Sequence, residues 1–192
     1  FVRACAILDR GRGGGVDATV TCLHDLPDSI RPGGDWVRVE VGGVENYWDA
    51  YDGYDVLVLP RRYGGLSLAA QEAMAAGLAV VMPAASPNLD WPIVPVPARH
   101  AGRVAMPAGH VSLIEVDPYE LAQTMRRLVE APAELEAWRE RSRAWARAHS
   151  WDQLTPMFME ELARVLRDPQ PKPPPSNVHD PFAPRGAPVR TQ

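Results

Sequence analysis

Several residue types are scarce in this sequence, and their scarcity narrows the possible classes of protein. The 192 residues include two cysteines, Cys5 and Cys22, which are too few for the disulfide framework of a small secreted protein. No apolar run approaches the ~20 residues of a membrane span, and no signal-peptide pattern opens the chain. A formal charge of −4 argues against a dedicated surface for nucleic acid or anionic membranes. We therefore expect a cytoplasmic protein.

The composition is that of a soluble globular protein, with 46% hydrophobic and 23% charged residues. Proline is unevenly placed, because eight of the 20 prolines follow residue 167. We therefore expect one packed domain over residues 1–167 and a disordered proline-rich tail over residues 168–192. The chain opens on Phe1 rather than methionine and enters an apolar run directly. This opening leads us to expect a piece of a longer protein.

Hydrophobic periodicity predicts an alternation of strands and helices. We expect strands at residues 2–8, 36–41, 55–60, 78–82 and 111–116, helices at residues 16–26, 44–51, 68–76, 119–130, 134–149 and 151–166, and a loop with at most one strand at residues 83–107. Such alternation is typical of an α/β fold with a doubly wound, Rossmann-like parallel sheet. Ligands bind such sheets beyond the carboxyl ends of the strands, where we expect two glycine-rich turns at residues 9–15 and 63–66.

The first glycine-rich turn has features of an anion site. In a strand-to-helix turn, glycines let backbone N–H groups face an anion at the helix N-terminus. Arg10 and Arg12 would add two guanidinium groups for a diphosphate. The turn matches neither the Rossmann fingerprint nor the P-loop, because no Gly-Lys-Ser/Thr follows it. A flexible loop with solvated arginines remains an equal alternative.

The second turn leads into a helix that carries a single carboxylate. Ser67 is a suitable N-cap, and Gly77 is a suitable left-handed stop for this helix. Glu72 lies about one and a half turns into the helix, so it could reach a ligand across the N-terminus. It could equally be a solvated helix residue. The five histidines show no metal-ligand spacing, and no metal site is predicted.

Residues 54–81, which run from the buried strand through the second turn and its helix, resemble the donor-binding half of retaining GT-B glycosyltransferases. The resemblance continues in weaker matches on both sides. These matches, in the family's order, are at residues 9–18, 39–44, 116–122 and 150–151. Together they cover residues 6–166. The resemblance implies that the chain is the C-terminal half of a GT-B architecture.

The resemblance also implies roles for individual residues. Glu72 matches the glutamate that holds the ribose hydroxyls of the nucleotide, and a carboxylate suits that role because it accepts hydrogen bonds from a vicinal diol. Arg10 matches the arginine that neutralises the donor diphosphate, and Arg12 stands in for a lysine that is absent near Gly14. Further matches give the loop whose backbone faces the donor sugar and phosphates (Gly64, Gly65, Leu66, Ser67 and Leu68) and the strand end beside the base (Val39, Glu40 and Val41).

The implied reaction transfers a hexose from a nucleotide diphosphate sugar with retention, without a protein-bound metal or other cofactor. No catalytic residue is assigned. Besides the absent lysine near Gly14, the sequence departs from the family in two further respects. Gly64 replaces the first of two signature glutamates, and the acceptor-binding N-terminal domain is missing from this chain. A degenerate, non-catalytic nucleotide-binding or interaction module therefore stays open as an alternative, as does a flavodoxin-like nucleotide-binding domain.

Overall fold

The computed structural model describes residues 1–10, 16–22, 27, 37–63, 67–106 and 109–167. Its helices are α1 (Val2–Arg10), α2 (Leu68–Ala75), α3 (Pro118–Glu130), α4 (Pro132–Ala148) and α5 (Trp151–Arg167), with 3₁₀ helices at Tyr47–Ala50 and Asn88–Asp90. Its strands are β1 (Ala18–Cys22), β2 (Val37–Val41), β3 (Val56–Val58), β4 (Ala79–Pro83), β5 (Val94–Val96), β6 (Ala98–Met106) and β7 (Gly109–Val116). The tail predicted for residues 168–192 lies outside the described residues, so the domain boundary stays a prediction.

The centre of the fold is the parallel sheet β3–β4–β5, whose middle strand is completely buried. Ala79 and Val81 pack on one face with α1 and α3, whereas Val80 and Met82 pack on the other with α2 and the end of α4. The alternation arises because successive side chains of a strand point to opposite faces. Full burial of a valine or leucine contributes about 1.5–3 kcal/mol, so these two clusters supply much of the driving force for folding. Helices on both faces of parallel strands confirm the expected Rossmann-like α/β class.

The first two predicted elements are wrong in type. Residues 2–8 form a helix rather than a strand, because Ala4, Cys5 and Leu8 lie on one helical stripe and are all buried. Residues 16–26 contain the strand β1 rather than a helix. Its central residues Thr19, Val20 and Thr21 are all β-branched, which favours extended backbone. A helix followed by a strand therefore replaces the predicted strand and helix, and this strand, β1, pairs in parallel with β2.

Residues 83–107 hold more strand than expected. They contain both β5 and β6, and β6 pairs with β7 in an antiparallel hairpin outside the parallel sheets. Pro95 is tolerated within β5 because β5 is the last strand of its sheet. Gly102 lies at a register shift in β6 with φ of +120°, a backbone conformation that glycine adopts without strain. None of the described helices is long and apolar enough to cross a bilayer.

Candidate functional site

The N-terminus of α2 lies beyond the carboxyl end of β3, as the sequence predicts. The Ser67 hydroxyl accepts a hydrogen bond from the Ala70 N–H (3.3 Å), so its predicted role as N-cap is confirmed. The first intrahelical hydrogen bond runs from the Gln71 N–H to the Ser67 carbonyl. The N–H groups of Leu68 and Ala69 come before it in the chain and therefore have no acceptor within the helix. Leu68 is 68% exposed, so this helix end is open to solvent. The rest of the predicted sugar and phosphate loop, Gly64, Gly65 and Leu66, lies outside the described residues.

Ala70, Ala73 and Met74 anchor α2 through its opposite side, where they are fully buried against the sheet. The helix ends at Ala75, and Gly77 two residues later has φ of +85°, as predicted for a left-handed stop. The carbonyl of Gly77 accepts a hydrogen bond from the Arg139 Nε (3.0 Å) on α4. Both ends of α2 are therefore held, and the position of its exposed N-terminal turn is defined by the fold.

Glu72 forms a hydrogen bond that the sequence does not predict. Its Oε2 accepts a hydrogen bond from the hydroxyl of Tyr51 at 2.7 Å, and both side chains are half-buried. Burial, followed by the nearby Glu72 carboxylate, raises the pKa of Tyr51 well above its usual value, so the hydroxyl stays protonated and donates. Glu72 is therefore a fixed hydrogen-bonding group rather than a solvated helix residue.

Tyr51 packs with Tyr47 and Trp48, and we call these three residues the aromatic cluster. The ring centroids are 5.7 Å apart for Tyr47 and Trp48, 6.2 Å for Tyr47 and Tyr51, and 6.3 Å for Trp48 and Tyr51. Tyr47 and Trp48 are about half exposed. Hydrogen bonding to the Glu72 carboxylate raises the pKa of Tyr47 above its usual value. This cluster was not predicted from the sequence, although four aromatic residues within residues 47–54 were a usable signal.

The residues predicted to lie beside the base, Val39, Glu40 and Val41, form the carboxyl end of β2 as expected. Glu40 and Val41 are exposed, and the chain turns at Gly42 with φ of +110°. The connection from this turn to β3 contains the aromatic cluster. Tyr51 therefore links the segment that follows β2 to Glu72 on α2.

The predicted diphosphate residues do not lie in the expected local structure. The turn at residues 9–15 was expected to follow a strand, but Arg10 is the last residue of the helix α1. Nothing is described of the Arg10 side chain, and Arg12 lies outside the described residues. Their role stays a prediction. Arg61 and Arg62, which directly follow β3, are further cations on the connection to α2 that the sequence analysis did not assign.

The chemistry available at these residues is that of a polar binding site. Exposed N–H groups at the start of α2 suit an anion, and the half-buried carboxylate of Glu72 suits hydroxyl donors. The half-exposed rings of Tyr47 and Trp48, which lie edge to face, offer aromatic contact area. Within the described ranges, no group of three His, Cys, Asp or Glu side chains is arranged to hold a metal ion.

Comparison with known proteins gives a family and a fold. Residues 30–131, about half of the chain, match the sequence model of the family described as glycosyl transferases group 1. Among solved structures, the fold is similar to that of sucrose-phosphate synthase from Thermosynechococcus elongatus, with a TM-score of 0.60 and 19% sequence identity. The similarity covers 86% of this chain and 42% of that protein, so the chain spans about two fifths of its length. No curated protein matches the chain significantly in sequence.

Proposed function

The chain belongs to the group 1 glycosyl transferases, and from that premise we propose that it is the donor-binding domain of a retaining hexosyltransferase. The enzyme transfers a hexose from a nucleotide diphosphate sugar to an acceptor. An N-terminal domain of the parent protein binds that acceptor in the cytoplasm. The reaction uses no protein-bound metal and no cofactor besides the donor.

The observation that carries the proposal is the fixed position of Glu72 near the exposed N-terminus of α2. A carboxylate has about four lone-pair sites, and the Tyr51 hydroxyl uses one of them. The remaining sites are sufficient for two vicinal ribose hydroxyls. Because Tyr51 holds the carboxylate in place before the ligand arrives, less side-chain entropy is lost on binding.

The diphosphate binds at the start of α2 in this proposal. The N-terminus of a helix carries partial positive charge and free N–H groups, and both favour phosphate. Arg10 and Arg12 add the cations that stabilise the leaving diphosphate. The backbone of residues 64–68 faces the donor sugar, and the backbone of residues 39–41 lies beside the base.

The proposal is tested by calorimetric titration of the chain with UDP, GDP, ADP and their glucose or mannose conjugates. We expect one nucleotide series to bind with micromolar to sub-millimolar affinity. Glu72→Ala should weaken that binding by about 1–3 kcal/mol, or roughly 5- to 150-fold, because the ribose hydroxyls lose a charged acceptor. Glu160→Ala removes an equally charged residue from the exposed helix α5 and should leave the affinity unchanged. Equal affinities for the two variants would contradict the role of Glu72.

One departure favours a second candidate function. Gly64 replaces a carboxylate that the family places near the donor sugar, which suggests a non-catalytic nucleotide-binding or interaction module. Binding of nucleoside diphosphates without any gain from an attached sugar would favour a nucleotide-binding module. A folded chain that binds none of the nucleotides would favour an interaction module.

A further inference from the structure

The antiparallel hairpin β6–β7 pairs separately from the parallel sheets, and its outer part has two unlike faces. Cross-strand partners point to the same face of a hairpin, so the register assigns each side chain to a face. One face carries Gly102 opposite Leu113 and Val104 opposite Val111, and all four residues are half-buried. Because this apolar face is shielded, the other face is the one that the outer part of the hairpin presents to solvent.

The solvent face carries a group of basic and hydroxyl side chains. Arg103 and Ser112 are direct cross-strand partners, and both are exposed. His100 lies on the same face toward the base of the hairpin and His110 toward its tip, and both are also exposed. The register shift in β6 does not alter this assignment, because Ile114, the partner of His100, alternates with Ser112 and His110 along β7. We call Arg103, Ser112, His100 and His110 the basic face.

The charge on this face is not neutralised within the hairpin. Glu115 lies on the opposite face, where its carboxylate forms an ion pair with Arg99 at 3.1 Å. Arg103 has no ion pair with any residue that the structure describes. The basic face therefore holds positive charge in a chain whose overall formal charge is −4.

The spacing of these side chains suits one small anion. Opposite residues of an antiparallel pair have Cβ atoms about 4.5–5.5 Å apart, and diagonal neighbours are about 7–8 Å apart, within reach of long side chains. An ion above the Arg103–Ser112 pair can therefore contact both of these residues and a flanking histidine. A guanidinium binds two phosphate oxygens in parallel, and a hydroxyl and an imidazole each donate one more hydrogen bond.

The hairpin also holds this face in a defined place. The Ile114 N–H donates a hydrogen bond to the Arg62 carbonyl at 2.8 Å, so β7 is fixed to the connection that follows β3. The Arg62 side chain is exposed and adds a cation to that connection. A backbone that is ordered before the ligand arrives reduces the entropy lost on binding.

We propose that the basic face is a binding site for the phosphate group of a soluble phosphate monoester. Such a group carries about −1.5 to −2 charges at pH 7 and three strong acceptor oxygens, which matches the three kinds of donor on this face. A carboxylate offers two oxygens and a single charge, and would leave donors of this face unused. The inference does not depend on the proposed donor site, because neither Glu72 nor α2 belongs to the basic face.

The test is titration of the ¹⁵N-labelled chain with glycerol 3-phosphate, followed by backbone amide shifts at constant ionic strength. We expect saturable shifts at residues 100–103 and 110–112. Arg103→Gln should weaken this binding about fivefold, the upper effect of an exposed charge pair. Arg99→Gln is the matched control, since it removes the same charge from the same strand on the opposite face, and should change the affinity less than about twofold.

Equal weakening by the two substitutions would show non-specific attraction and would overturn the proposal. Shifts confined to residues 67–72, or abolished by Glu72→Ala, would place the anion at α2 and would also overturn it. A lipid headgroup is the other source of a phosphate monoester. If the chain sediments with vesicles of phosphatidylcholine and phosphatidic acid but shows no hairpin shifts with glycerol 3-phosphate, the assignment to a soluble ligand is wrong.

Discussion

The hydrogen bond between Tyr51 and Glu72 provides the sharpest test of the described site. A hydrogen bond to a charged group contributes about 1.5–3 kcal/mol, and partial exposure of both side chains reduces this to roughly 1–2 kcal/mol. We therefore expect Tyr51→Phe to lower the free energy of unfolding by about that amount. In a Glu72→Ala background the same substitution should cost almost nothing, because the acceptor is already absent. The expected coupling energy is thus roughly 1–2 kcal/mol.

The assay is urea denaturation of the parent chain, the two single variants and the double variant, with equal m-values required for the comparison. Tyr54→Phe is the matched control. Tyr54 packs in the same apolar cluster as Tyr51, and its hydroxyl has no hydrogen-bond partner among the described residues. This control should change stability by less than about 0.5 kcal/mol in either background. A coupling energy near zero, or equal costs for Tyr51→Phe with and without Glu72, would refute the reasoning.

Three further predictions concern the packing around the site. Gly77→Ala should lower the free energy of unfolding, measured by thermal unfolding, by about 1–2 kcal/mol, because φ is +85° and the added Cβ would lie 3.2 Å from Arg143. Gly53→Ala is the control: its φ is similar, but the added Cβ would meet open space, so the substitution should cost less. Arg139→Ala should also destabilise the chain, since Arg139 holds the C-terminal carbonyl of α2, and equal midpoints in urea would contradict this. Burial raises the pKa of Cys5 to about 11, which means that the folded state favours the neutral thiol. The stabilisation that this preference gives the folded state is fully present below about pH 8.5 and is lost as the pH rises toward 11. In a Cys22→Ala variant, alkylation of native protein at pH 8 should therefore be slow, and rapid alkylation would contradict the predicted burial.

The elements that the sequence predicted correctly are those with strong local signals. Ser67 and Gly77 mark the start and end of α2 through their own conformational preferences, and both functions are confirmed. The strands β3 and β4 were recognisable as continuous apolar runs. The family match then confirms the interpretation of residues 54–81 as part of a glycosyltransferase domain.

The elements predicted wrongly depend on long-range packing. The short apolar run at residues 2–8 fits either a helix or a strand. Its helical structure is determined by contacts with α3, more than one hundred residues away in sequence. The contact between Tyr51 and Glu72 spans 21 residues and two secondary-structure elements, so no local pattern indicates it. The strand β5 was hidden by Pro95, which is tolerated because β5 lies at the edge of its described sheet.

The central claim is that a nucleotide diphosphate sugar binds where α2 begins and β2 ends. Backbone amide chemical shifts of the ¹⁵N-labelled chain, followed during titration with UDP, GDP and ADP, test this claim most directly. The account predicts that one nucleotide shifts the amides of residues 67–72 and 39–41, together with those of the aromatic cluster. Absence of shifts for every nucleotide, or shifts confined to other parts of the chain, would contradict it.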